Sequence, residues 1–163
     1  MTHLSRFYSL AKALVILSSL SVFSLSVAQT QRTRPADAAN EEPSFHEYRG
    51  IQIGLLAEEV RKKLGSPADK GDEQDFYVFG EKETVQVLYD KPTRKVTAIS
   101  VDFMNGATNI ITPQQVFGAD IETKPDGSKY KMVRYPKAGY WISYSKTAGA
   151  TPIVTVTIQK MPQ

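Results

Sequence analysis

A chain of 163 residues with no cysteine and a formal net charge of +3 has the length of one domain, and that domain must be held by its core alone. The missing thiol excludes disulfides, a lipid-accepting cysteine, a cysteine nucleophile and cysteine-based zinc sites. The charge excess is small and basic residues alternate with acidic ones, so the composition gives no reason to expect a nucleic-acid partner.

Taken in chain order, Arg6 and Lys12 precede an apolar, serine-rich run from Ala13 to Val27. That run is shorter than the roughly 20 residues a membrane-spanning helix needs, and it ends in Ser26-Val27-Ala28, small residues where a signal peptidase cuts. Residues 1–28 therefore read as a cleavable signal peptide, with an uncleaved N-terminal anchor as the alternative. Its loss leaves 18 basic against 17 acidic residues. The expected location is periplasmic or secreted, with no lipid anchor and no stable membrane insertion after cleavage. Residues 29–44 carry two prolines and no aromatic or branched apolar side chain, the composition of a flexible linker. The folded domain is expected over 45–163.

The segment Gly54 to Pro67 has the strongest helical pattern. Leu56, Val60 and Leu64 recur every fourth residue, Glu58 and Glu59 occupy the first turn, and Arg61, Lys62 and Lys63 the last. This order suits the helix dipole and offers Glu58–Lys62 and Glu59–Lys63 pairs. Gly65 and Pro67 end it, while Leu56 stands where a capping hydroxyl or carboxylate is usual. Strand-like runs follow at Asp75–Gly80, Thr84–Asp90 and Lys95–Phe103, joined by turn-forming stretches short enough for antiparallel hairpins. Thr112-Pro113-Gln114-Gln115 then supplies an N-cap, a proline at the first helical position and a capping-box glutamine. Gly118 closes this brief helix, and further strand-like runs span Ser128–Pro136, Gly139–Thr147 and Ile153–Lys160.

Helix–strand–strand–strand occurs twice in this order. The expected fold is α+β, with two helix–three-strand repeats at about 50–104 and 110–160 and helices packed on one face of an antiparallel sheet. Within the first repeat, Ile53-Gly54-Leu55, Glu59-Val60 and Leu64-Gly65-Ser66-Pro67 resemble the opening signature of SmpA/OmlA (BamE-like) domains of the bacterial envelope. The doubled arrangement is similar to that of the β-lactamase inhibitor protein, of the same fold superfamily. The resemblance implies a role as a scaffold in outer-membrane assembly or as an inhibitor-like binder. The absent lipobox cysteine departs from the first group and the absent disulfides from the second.

No catalytic motif is found. His46, the one histidine beyond residue 28, stands alone beside Glu47, and no metal-ligand spacing, nucleophile elbow or phosphate loop occurs. The acidic group Asp69, Asp72, Glu73 and Asp75 reads as a solvated loop rather than a calcium site. The chain is accordingly expected to be a non-enzyme without metal or cofactor.

Strand alternation assigns Val85, Val87, Tyr89, Ile99, Val101, Phe103, Tyr140, Ile142, Tyr144, Val156 and Ile158 to the helix-covered face. Gln86, Leu88, Ser100, Asp102, Trp141, Ser143, Thr155, Thr157 and Gln159 then occupy the opposite face. Lys131, Val133 and Tyr135 join that open set if Tyr77 and Tyr130 face inward. Trp141, Tyr135, Leu88, Lys131, Ser143, Thr155 and Thr157 are thus the candidate surface for an envelope or secreted protein partner, an exposed tryptophan beside a tyrosine having the make-up of a binding anchor. Packing of Trp141 against a loop or neighbouring strands is the other reading of the same residue. A pocket between sheet and helices, for a small ligand or a hydrolase, is the alternative architecture.

Overall fold

The structure, a computed structural model, describes residues 43–162; the signal-peptide reading of 1–28 and nearly all of the linker 29–44 lie outside them. The described chain opens on a two-residue hairpin, β1 (Glu47–Tyr48) and β2 (Ile51–Gln52). Its turn is Arg49-Gly50, both at positive φ (49° and 76°), as the tightest right-twisted hairpins require.

Helix α1 spans Ala57–Leu64. Backbone bonds from Gly54 N–H to the Val96 carbonyl and from Ala57 N–H to the Arg94 carbonyl, both 2.9 Å, fix its start to the sheet. Leu56 sits at the N-cap in extended conformation. Glu59 supplies the missing acceptor by reaching back to the Leu56 N–H at 3.0 Å. The buried stripe is Ala57 and Val60, with Leu64 packed beside it; Leu56 is 44 % exposed. The expected Glu58–Lys62 and Glu59–Lys63 pairs are absent. Arg61 takes Glu58 instead at 2.9 Å, and Glu59 is engaged as the cap.

Strands β3 (Asp69–Lys70), β4 (Gln74–Val78), β5 (Glu83–Tyr89) and β6 (Val96–Phe103) follow. Helix α2 (Pro113–Phe117) is capped by Thr112 and ends at Gly118, which adopts the left-handed conformation (φ 70°). Strands β7 (Lys129–Tyr135), β8 (Tyr140–Lys146) and β9 (Val154–Lys160) complete the chain. The six longer strands fall within a residue or two of the expected runs; β1, β2 and β3 are too short to leave a periodic trace.

The α+β expectation is overturned. The architecture is mostly β: one seven-stranded antiparallel sheet, ordered β3-β4-β5-β6-β9-β8-β7, plus the two-stranded β1-β2 ribbon. The helices contribute only 8 and 5 residues, and α2 buries just Pro113 and Val116. Helix–strand repeats therefore do not describe the fold. The positive-φ glycines at 65 and 118 stop each helix after one or two turns. Irregular backbone carries Phe45, Ile53, Leu55, Ile110 and Ile111 onto the same core. The segments read as the two repeats share one sheet, with β6 and β9 paired at its centre from Ala98↔Gln159 to Phe103↔Val154.

One face of the sheet is apolar and covered. Val85, Val87, Ile99, Val101, Val156, Ile158 and Ile142 are each at most 1 % exposed. A bulge keeps this parity intact at the start of β6, where Tyr89 pairs with Val96 and Leu88 with Ala98, leaving Thr97 as the extra residue. The buried side chains between sheet and helices include Ile51, Val60, Val87, Ile99 and Val116.

Candidate functional site

Because every long strand is antiparallel and in register, the other face is defined residue by residue. Three rows cross it. Gln74, Leu88, Ala98, Gln159, Trp141 and Arg134 form the first; Phe76, Gln86, Ser100, Thr157, Ser143 and Met132 the second; Val78, Thr84, Asp102, Thr155, Ser145 and Tyr130 the third. No helix lies on this face among the described residues.

The centre of the face is a field of short polar side chains that bond to one another. Ser100 and Thr157 hydroxyls are 3.1 Å apart, and Thr155 donates to Asp102 at 2.6 Å. Such cross-strand pairs satisfy the polar atoms and keep the surface flat. Larger groups rim it. Trp141 is half-buried between Arg134 and Gln159, Leu88 lies in the same row, and Tyr130 (56 % exposed) and Met132 (42 %) stand on the β7 edge.

Five of the seven candidate residues are thereby placed on the open face: Trp141, Leu88, Ser143, Thr155 and Thr157. Two are not. Tyr135 is 6 % exposed in the core, and Lys131 faces inward with its ammonium 4.9 Å from the centre of the Phe117 ring. Tyr77 does face inward, but Tyr130 does not, so the condition attached to Lys131, Val133 and Tyr135 fails on β7. The residues missed in their place are Tyr130, Met132 and Arg134. A signal for them existed. The four-residue loop Pro136–Gly139 sets Tyr135 opposite Tyr140, and cross-strand partners share a face, so a buried Tyr140 required a buried Tyr135.

Charge is also distributed less evenly than simple alternation implies. From Gly127 to Gln163 there are Lys129, Lys131, Arg134, Lys137, Lys146 and Lys160 and no acidic residue. The β7–β8–β9 side of the sheet draws all its side chains from this stretch.

On the covered face, Asp75 corrects the reading of the acidic group as a solvated loop. Asp69 and Glu73 are exposed, but Asp75 is fully buried in β4. Arg61 grips both of its oxygens at 2.8 and 3.0 Å, Tyr89 donates to it at 2.8 Å and Tyr77 at 3.4 Å. Burial alone would push the carboxyl up; the Arg61 and Tyr89 bonds outweigh it and hold Asp75 below the ordinary carboxylate value. The same surroundings push Tyr77 up to about 12, first through burial and then through the Asp75 charge. No buried side-chain nitrogen or oxygen among the described residues lacks a partner, and the cluster fastens α1 to the sheet.

A second cluster lies at the opposite end of β5. Glu83 accepts from Tyr48 and from Arg49, the latter at 2.7 Å. The Arg49 guanidinium also stacks 4.2 Å over Phe79. A cleft of about 280 Å³ adjoins it, lined by Phe79, Lys82, Glu83 and the Gly106–Thr108 loop. Within it Glu83 is paired with Arg49, and Glu81 and Lys82 are the other ionisable side chains of the lining. Among the described residues no group of side chains has the make-up of a metal site, and no helix is long and apolar enough to cross a membrane. His46 is exposed at the start of the ribbon.

Compared with protein-family profiles, with curated proteins and with solved structures, the chain matches none.

Proposed function

We propose that this chain is an exported, non-catalytic protein-binding module of the bacterial cell envelope, and that it engages its partner through the open face of the seven-stranded sheet. The single observation that carries the reading is the row Leu88–Ala98–Gln159–Trp141–Arg134, which sets the chain's only tryptophan and an arginine side by side on an uncovered, largely polar sheet. Tryptophan and arginine are the residue types that most often anchor protein interfaces, and a surround of small, mutually bonded hydroxyls can exclude water without opposing a partner. The N-terminal run with its Ser26-Val27-Ala28 end supports export. The short signature between Ile53 and Pro67, which resembles SmpA/OmlA domains, supports an envelope setting, as an assembly scaffold or an inhibitor-like binder.

The test is comparative purification of the tagged protein from its native exported fraction. A partner retained by the wild type is expected to be lost from Trp141→Ala and from Ser143→Lys with the fold intact by circular dichroism. Equal recovery of that partner by both variants contradicts the reading.

A further inference from the structure

We propose a second docking site, which meets the open face at Arg134: the free edge of β7 accepts an acidic, extended polypeptide segment as an eighth strand. β7 ends the sheet, and among the described residues only its first position is covered on the outer side, by the Thr123–Lys129 bridge. The Lys124 N–H bonds the Ser128 carbonyl at 2.8 Å on that side. The alternation of an antiparallel ladder therefore turns the N–H and C=O of Met132 and Arg134 outward in the same direction. An edge of this length presents a template for another strand.

Charge decides which strand. Lys129, Lys131 and Arg134 lie on β7, Lys137 follows in the turn, and no acidic residue occurs after Asp126. Lys129 is paired with Asp120 at 3.0 Å, whereas Lys131, Arg134 and Lys137 take part in no ion pair among the described residues. A second copy of β7 would bring cations against cations, which opposes self-association at this edge. An acidic strand meets the opposite situation: backbone bonds supply affinity and alternate side chains supply selection. Antiparallel addition centred on Met132 places successive partner residues against Arg134, Val133, Met132, Lys131 and Tyr130. The preferred segment is thus acid–apolar–apolar–acid–aromatic, its first acid meeting Arg134 on the open face and its second meeting Lys131 on the other.

The test uses the purified protein and a capped peptide of sequence serine–aspartate–valine–leucine–glutamate–tyrosine–serine. The control peptide has lysine in place of both acids. The acidic peptide is expected to bind saturably and to slow hydrogen exchange at the Met132 and Arg134 amides. The control, and the charge-reversed variant Lys131→Glu/Arg134→Glu with the acidic peptide, are expected to bind at least about tenfold more weakly. Met132→Pro removes an outward N–H without touching the β8 ladder and is expected to abolish binding with the amide spectrum of the rest of the fold retained. Trp141→Ala is expected to leave peptide binding unchanged and Met132→Pro to abolish it, so the edge site can fail while the open-face reading stands, and the reverse. Equal binding of both peptides overturns the proposal. So does protection confined to other strands, or an equally tight complex with an oligothymidylate that has no strand to add. Protection of the same amides by self-association of the protein alone overturns it in favour of a second copy.

Discussion

Trp141 on β8 stands directly opposite Arg134 on β7, both on the face that no helix covers among the described residues and both within one strand of the β7 edge. The pair is adjacent because the Pro136–Gly139 loop joins β7 to β8 with Tyr135 against Tyr140, and the next residue out on each strand points the other way. A hairpin whose core register is set by two buried tyrosines therefore presents an arginine and a tryptophan to solvent as a by-product of the same alternation.

Trp141→Ala should leave the fold nearly as stable as before, within about 1 kcal/mol, because the substitution opens no cavity in a sealed core. Chemical denaturation checks this. A loss near that of a buried aromatic, about 3–5 kcal/mol, would show the indole to be a core residue.

The β7 parity makes a paired prediction. Tyr135→Ala should cost about 3 kcal/mol or more, since the residue is 6 % exposed. Tyr130→Ala, at a position 56 % exposed, should change stability by about 0.5 kcal/mol or less. Equal effects in urea melts would mean that the strand is shifted by one residue.

Asp75→Asn breaks a buried ion pair and leaves the Arg61 guanidinium without its main counter-charge. A loss of about 3 kcal/mol is expected. The pH dependence follows from the lowered carboxyl. Its folded-state pKa lies below the unfolded value of about 3.9, so the stability it contributes is complete above that value and is lost as the pH falls through the folded pKa. Wild type and Asp75→Asn should converge in melting temperature as the pH is lowered below about 4 and diverge at neutral pH. A constant gap over that range contradicts the assignment.

Helix α1 offers a contrast between two apolar residues on the same sequence stripe. Val60→Ala, at a site with no exposure, should cost about 2 kcal/mol; Leu56→Ala, at 44 % exposure, should fall within about 0.5 kcal/mol. Thermal melts of the two variants decide it.

Local chemistry was legible along most of the chain. Thr112, Pro113 and Gln115 mark the start of α2, and strand alternation in β5, β8 and β9 puts Val85, Ile142 and Val156 inside, as found. What could not be read locally depends on other elements. Leu56 fits the apolar period of α1 but is drawn into a bridge with Lys95, which turns its side chain outward. Asp75 looks like one more loop carboxylate until Arg61, Tyr77 and Tyr89 converge on it from a helix and two strands. The α+β expectation failed for a similar reason: a three-residue capping signal shows where a helix begins, but not that α2 stops after five residues and leaves the cover to irregular backbone. In β7 both parities carry apolar and basic residues, so only the turn to β8 settles which face is wet.

The central claim is that a protein docks over Trp141. As the chain's only tryptophan, it reports on that event without a label. Titrating the co-purified partner into the wild-type protein and following indole emission and acrylamide quenching is the direct measurement. Binding should shift the emission to the blue and shield the ring from quencher; a complex that forms with emission and quenching of Trp141 unchanged contradicts the account.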